Sequence, residues 1–171
     1  MNFIATTHRR GEKEAASEIY ALLWELGDKN PKLEITDISG IIIGDTSLNP
    51  IEVSRTLREM VKKDPWSIRK VMRFIPIEKE CKMDLDEISK IAHELANKIG
   101  KDESFKVIVE KRHCKIPSME IIKKVAEPIN RKVDLENPDW IVLIEIVRDK
   151  CGVSVIRPQD IFRSLEAKLS G

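Results

Sequence analysis

Between Phe105 and Ile156 the sequence sets a fixed order of elements: a strand, a helix and two more strands. Phe105–Arg112 alternates apolar Phe105, Val107 and Val109 with mixed polar partners, the period of a half-buried strand. Ser118 stands where an N-cap belongs, ahead of a helix whose apolar stripe is Ile121, Ile122, Val125 and Ile129. Val133-Asp134-Leu135 and the turn residues Asn137-Pro138-Asp139 lead into Trp140–Val147, the longest apolar run of the chain, and then into Cys151–Val155. The first strand ends in Lys111-Arg112-His113-Cys114-Lys115. A cationic strand end beside a helix N-terminus is a place to hold phosphate, because unpaired N–H groups and positive side chains converge there.

The first half reads as β-α-β-β-α-β. Phe3–Thr7 is a strand. Gly11–Leu26 is a helix burying Ile19, Leu22, Leu23 and Leu26, closed by Gly27. Leu33–Ile38 and Ile41–Gly44 form a hairpin through Ser39-Gly40. Asn49-Pro50-Ile51-Glu52 supplies a cap, a proline at the first helical position and an early carboxylate, opening a helix with Val53, Leu57, Met60 and Val61 inward. Ile68–Ile77 is a strand. This is the ferredoxin-like order. The second half begins near Glu78–Met83. Asp84 caps a helix that buries Leu85, Ile88, Ala92, Leu95 and Ile99, and Gln159–Leu169 is a last short helix. The division falls at 1–77 and 78–171, with no flexible linker, so the two units are expected to pack directly.

Composition narrows the function classes. Residues are 42% hydrophobic and 35% charged, which is globular rather than disordered. No apolar run approaches a bilayer span, and the N-terminus has no signal-peptide pattern. Three separated cysteines suggest a reducing, cytoplasmic compartment without a disulfide framework. Nine Lys/Arg face eleven Asp/Glu up to residue 65, and twenty-one face eighteen beyond it. That asymmetry is too small for binding by bulk charge, so any nucleic-acid site is a local patch. Neither a G-x-G-x-x-G turn nor a G-x-x-x-x-G-K-[ST] loop is present, and His8, His93 and His113 lie in different elements. His113 and Cys114, as strand neighbours, point to opposite faces, and Cys81, Cys114 and Cys151 lack zinc-ligand spacing. The sequence therefore predicts no enzyme, no metal and no cofactor.

The residues Phe105–Arg112, Ser118, Val133-Asp134-Leu135-Glu136-Asn137-Pro138 and Gly152-Val153-Ser154 resemble the THUMP domain, an RNA-binding module that accompanies many tRNA-modifying enzymes. Val71–Ile77 with Cys81-Lys82, the opening Phe3–Gly27 and the Ile35–Gly44 hairpin are similar to the tRNA acetylation adaptor family. The likeness extends along the chain and leaves no stretch for a catalytic domain. It implies an α+β fold in which an N-terminal ferredoxin-like unit is packed on a THUMP α/β domain. It also implies a non-catalytic protein that binds tRNA by the acceptor stem and 3′ end. A separate tRNA cytidine acetyltransferase would then form N(4)-acetylcytidine in the D arm. The alternative is a generic THUMP module serving another tRNA- or rRNA-modifying enzyme.

By position, Arg73, Lys82, Arg112 and Ser118 match the family pattern, and Lys111 and Lys115 lie beside them. Lys111, Arg112 and Lys115 are expected to meet phosphates, or bases through the Arg plane. Arg69 and Arg73 are expected to share a strand face and to join the RNA-binding set. Ser118 is first a cap. Lys123-Lys124 and Arg131-Lys132 read as solvated helix residues. Trp140 reads as core, and Trp66 as core or interface packing rather than a base-stacking ring.

Overall fold

The computed structural model describes residues 1–170, which divide into two units: Met1–Pro76 with the residues from Gln159 onward, and Ile77–Pro158. In the first unit, strands β1 (Phe3–Thr6), β2 (Lys32–Ile35), β3 (Ile41–Asp45) and β4 (Arg73–Pro76) alternate with helices α1 (Glu12–Glu25) and α2 (Pro50–Lys63). The element order is the β-α-β-β-α-β expected from the sequence. The strands pair antiparallel in the order β4-β1-β3-β2. Ile19, Leu22 and Leu23 of α1 and Val53, Leu57 and Val61 of α2 meet Phe3, Ala5, Ile42 and Phe74 of the sheet in one core. The Phe3 and Phe74 rings stack at 4.7 Å, and each such buried side chain contributes about 1.5–3 kcal/mol.

Local chemistry sets the helix ends. The N–H of Gly27, at φ +116, reaches the Trp24 carbonyl (3.1 Å), and the N–H of Asp28 reaches that of Leu23 (2.9 Å). This is a Schellman end, which a side-chain-bearing residue at position 27 would strain. Asn49 caps α2 by accepting from the N–H groups of Ile51 and Glu52. The strand expected over Ile68–Ile77 is shorter, because its backbone donors go elsewhere. The Glu18 carboxylate on α1 accepts the N–H groups of Arg69 (2.8 Å), Lys70 (2.9 Å) and Val71 (2.9 Å), so no ladder forms there. Ile68 and Val71 are still buried, which accounts for the apolar pattern.

The second unit comprises β5 (Lys79–Lys82), α3 (Leu85–Leu95), β6 (Ser104–Arg112), α4 (Ser118–Ala126), β7 (Lys132–Val133), β8 (Trp140–Val147) and β9 (Lys150–Ile156). The sheet order is β5-β9-β8-β6-β7. Strand β6 runs parallel to β7 and β8, while β9 is antiparallel to β8 and β5. Ile88, Ile91 and Ala92 of α3 and Ile121 and Val125 of α4 share a core with Phe105, Val107, Val142, Ile144, Ile146, Val153 and Val155. Trp140 is half-buried at the edge of this core. Its indole N–H donates to Glu103 (3.0 Å), and Arg157 stands 3.7 Å from its ring. That indole bond, then Arg157, then the Gly100 N–H pull the Glu103 carboxyl down to about 2.

The segment from Gln159 departs from the sequence division at 77/78. It is not one helix but a 3-10 turn (Pro158–Asp160), strand β10 (Phe162–Arg163) and helix α5 (Ser164–Ser170). It belongs to the first unit. Strand β10 pairs with β4 through Phe162↔Phe74 and Arg163↔Arg73 and completes a five-stranded sheet. Phe162 and Ala167 enter the first core, and buried Asp160 pairs with Arg55 (2.8 Å) and accepts from Ser54 Oγ through its carbonyl. No helix among the described residues is long and apolar enough to cross a membrane.

Candidate nucleic-acid interface

Strand direction assembles this site. Because β5 and β8 are both antiparallel to β9, and β6 is parallel to β8, the strands β5, β6 and β8 all end on one edge of the second sheet. Lys82 ends β5, Lys111 and Arg112 end β6, and the β8–β9 hairpin turns there through Arg148 and Asp149 into Lys150. Helices α3 and α4 also start on this edge, since each follows one of those strands. Lys82, Lys111, Lys115, Arg148 and Lys150 are exposed. Ligands of open α/β sheets bind outside the carboxyl ends of strands for the same geometric reason.

The two helix starts differ. The Asp84 side chain accepts the N–H groups of Asp86 (2.9 Å) and Glu87, so α3 carries its own anion. Helix α4 does not. Its N-cap is Pro117, which makes no side-chain cap bond, and the Pro117 carbonyl accepts from Glu120 (3.0 Å) and Ile121 (3.3 Å). Among the described residues the N–H groups of Ser118 and Met119, at the positive end of the helix, have no acceptor. Ser118 is thus the first helical residue and not the cap expected from the sequence, because the turn at Ile116-Pro117 ends one residue earlier. An exogenous phosphate can accept the two N–H groups while Lys111 and Lys115 neutralise it.

Lys111 and Arg112 part company at the strand end. Alternation puts Lys111 on the face of Val107 and Val109, towards α4, where its Nζ donates to the Ile116 carbonyl (2.7 Å) and the residue stays exposed. Arg112 lies on the other face. There β6 and β8 place Glu110 directly beside Glu145, a like-charge pair that repels. The Arg112 guanidinium joins both carboxylates, at 3.1 Å to Glu145 and 3.1 Å to Glu110. Arg112 is 12% exposed and Glu145 0%. The first duty of Arg112 is therefore to be the counterion of a buried carboxylate, and the structure does not group it with Lys111 and Lys115.

The other sequence candidates lie on three further segments of the two units. Lys82 lies on the same edge, paired in register with Lys150. Arg69 and Arg73 do not share a strand face: Arg69 is in the loop held by Glu18, while Arg73 is in β4 with Nε on Thr6 Oγ1 (3.3 Å). Both belong to the first unit. The sequence reading missed Arg148 and Lys150. Their signal is a polar two-residue turn between the apolar runs Trp140–Val147 and Cys151–Val155, but it points to this edge only once β8 is known to run parallel to β6. His113 stands outside the strand, exposed, at φ +59. Cys81 and Cys151 face each other across β5 and β9, and contact with Cys81, then burial, pushes the Cys151 thiol well up.

Residues 82–156 match the THUMP domain. THUMP domain-containing protein 1 of Mus musculus is 28% identical over 120 residues, which are 65% of this chain and 34% of the mouse protein. A probable tRNA sulfurtransferase of Caldanaerobacter subterraneus subsp. tengcongensis is 30% identical over 128 residues, 69% of this chain and 32% of that protein. The chain thus spans about a third of the length of these curated relatives. Among solved structures, PH1313 from Pyrococcus horikoshii aligns with a TM-score of 0.67 at 22% identity, over 92% of this chain and 55% of that one. A 4-thiouridine synthetase, crystallised in complex with RNA and ATP, aligns at 0.54 and 16% identity over 95% of this chain and 42% of that one. These two likenesses are of fold.

Proposed function

From the THUMP domain at residues 82–156 we propose that this chain is a tRNA-binding adaptor. It grips the acceptor stem and 3′ end and presents the tRNA to a separate cytidine acetyltransferase for N(4)-acetylcytidine formation in the D arm. The observation that carries the binding half is the uncapped start of α4 beside Lys111 and Lys115, on an edge that also bears Lys82, Arg148 and Lys150. The acetylation half is supported by the sequence resemblance, which reaches both units, and by a sequence without a phosphate-cradling loop for acetyl-CoA or ATP. In this reading the chain does no chemistry and needs no cofactor. It raises the local concentration of substrate and fixes its orientation, so that a weakly binding catalyst acts as if intramolecular.

A second reading is favoured by the 30% identity to a probable tRNA sulfurtransferase: a THUMP module that delivers RNA to a different modifying enzyme. One assay separates the two, combining the purified chain, the acetyltransferase, tRNA, acetyl-CoA and ATP. The adaptor reading expects acetylation by the enzyme to rise when the chain is added and the chain alone to be inactive. Acetylation by the chain alone overturns it. A rate indifferent to the chain, with tRNA binding intact, leaves the second reading.

A further inference from the structure

The aromatic residues sort by chemistry. All four phenylalanines are 0% exposed, whereas Trp66 is 73% exposed. Of the core or interface packing expected from the sequence for Trp66, the core half does not hold. Exposure alone is ordinary; what sets Trp66 apart is how firmly its backbone is held. Its N–H donates to Asp64 Oδ1 (3.0 Å), and both the N–H and the hydroxyl of Ser67 bind the Asp64 carbonyl (3.0 and 2.8 Å). Ile68 is fully buried beneath the loop, and the three bonds to Glu18 fasten the next residues to α1. Thr7 Oγ1 donates to the Lys70 carbonyl (2.8 Å), tying this loop to the one that bears Arg9 and Arg10. An indole on so fixed a loop is presented to solvent at little further entropic cost on binding.

Trp24, the other exposed tryptophan, is served within the molecule: Tyr20 stacks on it at 6.4 Å and Lys29 sits 4.6 Å from its ring. Among the described residues Trp66 has only the Arg69 guanidinium against its ring, at 6.0 Å, the outer limit of a cation–π contact. Nearby Lys62 and Lys70 are paired with Glu59 and Glu14, while Lys63 and Arg69 have no carboxylate within ion-pair distance among the described residues. A rigid, open aromatic face flanked by available cations complements one ligand in both parts: a base to stack and a phosphate to neutralise. A duplex hides its base faces, so the base must be unpaired.

We propose that Trp66 stacks on an unpaired nucleotide of the bound RNA, with Arg69 and Lys63 on its phosphates, so that the first unit contributes an RNA contact of its own. This rests on the RNA-binding reading above. The test is tRNA binding by the full chain as wild type, Trp66→Ala, Trp66→Phe and Arg69→Ala, followed by affinity and by intrinsic tryptophan fluorescence. Trp66→Ala should weaken tRNA binding by about 5- to 100-fold without changing the salt slope, since it removes stacking and no charge. Trp66→Phe should keep most of the affinity and lose the RNA-induced quench. Arg69→Ala should lower the salt slope by about one. A blunt-ended RNA duplex should bind wild type and Trp66→Ala alike. Unchanged tRNA affinity in Trp66→Ala overturns the proposal, and does so equally if that variant instead fails to stimulate the partner enzyme, which would make Trp66 a protein-docking residue. Wild type that binds no tRNA overturns the RNA-binding reading itself.

Discussion

Lys111 and Arg112 are neighbours in sequence, carry the same charge and end the same strand, yet they serve different parts of the molecule. Arg112 faces Glu110 and Glu145 and answers charge that the sheet itself brings together. Lys111 faces the start of α4, where among the described residues two backbone N–H groups have no acceptor and no side chain caps them. One residue of strand alternation separates a structural cation from an available one. The two helix starts on the same edge repeat the contrast, since α3 is closed by Asp84 and α4 is left open at Pro117. A cation or a helix end is a candidate contact only after the groups inside the fold have been matched.

The largest effect that can break this comparison is on stability. Arg112→Ala removes the guanidinium that bridges Glu110 and buried Glu145 and should cost about 3–5 kcal/mol in denaturant unfolding of the full chain. Lys111→Ala should stay within about 0.5 kcal/mol of wild type, as expected of an exposed side chain. Equal costs for the two would remove the distinction. Replacing Glu145 as well, by Leu together with Arg112→Met, should recover much of the loss, because the penalty belongs to charge buried away from the guanidinium that bridged it.

A smaller effect sharpens the second contrast. Pro117 has the extended backbone of an N-cap, at φ −58 and ψ 137. Pro117→Asp should therefore cap α4 as Asp84 caps α3, raising stability by about 1 kcal/mol. The same carboxylate would occupy the place assigned to phosphate, so tRNA affinity should fall while stability rises. A gain in stability with unchanged tRNA binding would show that the open helix start is not used.

What was legible in the sequence is what one turn or one strand decides alone. Asn49 and Asp84 as caps, Gly27 as a helix end and Trp140–Val147 as a buried strand follow from residues within a few positions of each other. What was not legible depends on partners far along the chain. Ile68–Ile77 reads as one strand until Glu18, 51 residues before Arg69, takes the backbone donors. Gln159–Leu169 reads as a helix of the second unit until Phe162 pairs with Phe74 and Asp160 meets Arg55. The duty of Arg112 needs Glu145, 33 residues on, although alternation alone already separates it from Lys111. Arg148 and Lys150 join the candidate site only through the direction of β8, and nothing local in the sequence tells that Ile68 is buried while Trp66, two residues earlier, is exposed.

The measurement that bears most directly on the central claim is the salt dependence of tRNA binding by wild type and by the double variant Lys111→Gln/Lys115→Gln. Binding constants taken between about 50 and 200 mM monovalent salt give the number of phosphates neutralised. If the edge beside α4 holds tRNA phosphate, the double variant should lose about two units of slope while its unfolding midpoint stays at the wild-type value. An unchanged slope with unchanged stability would place the RNA elsewhere on the molecule and contradict the account.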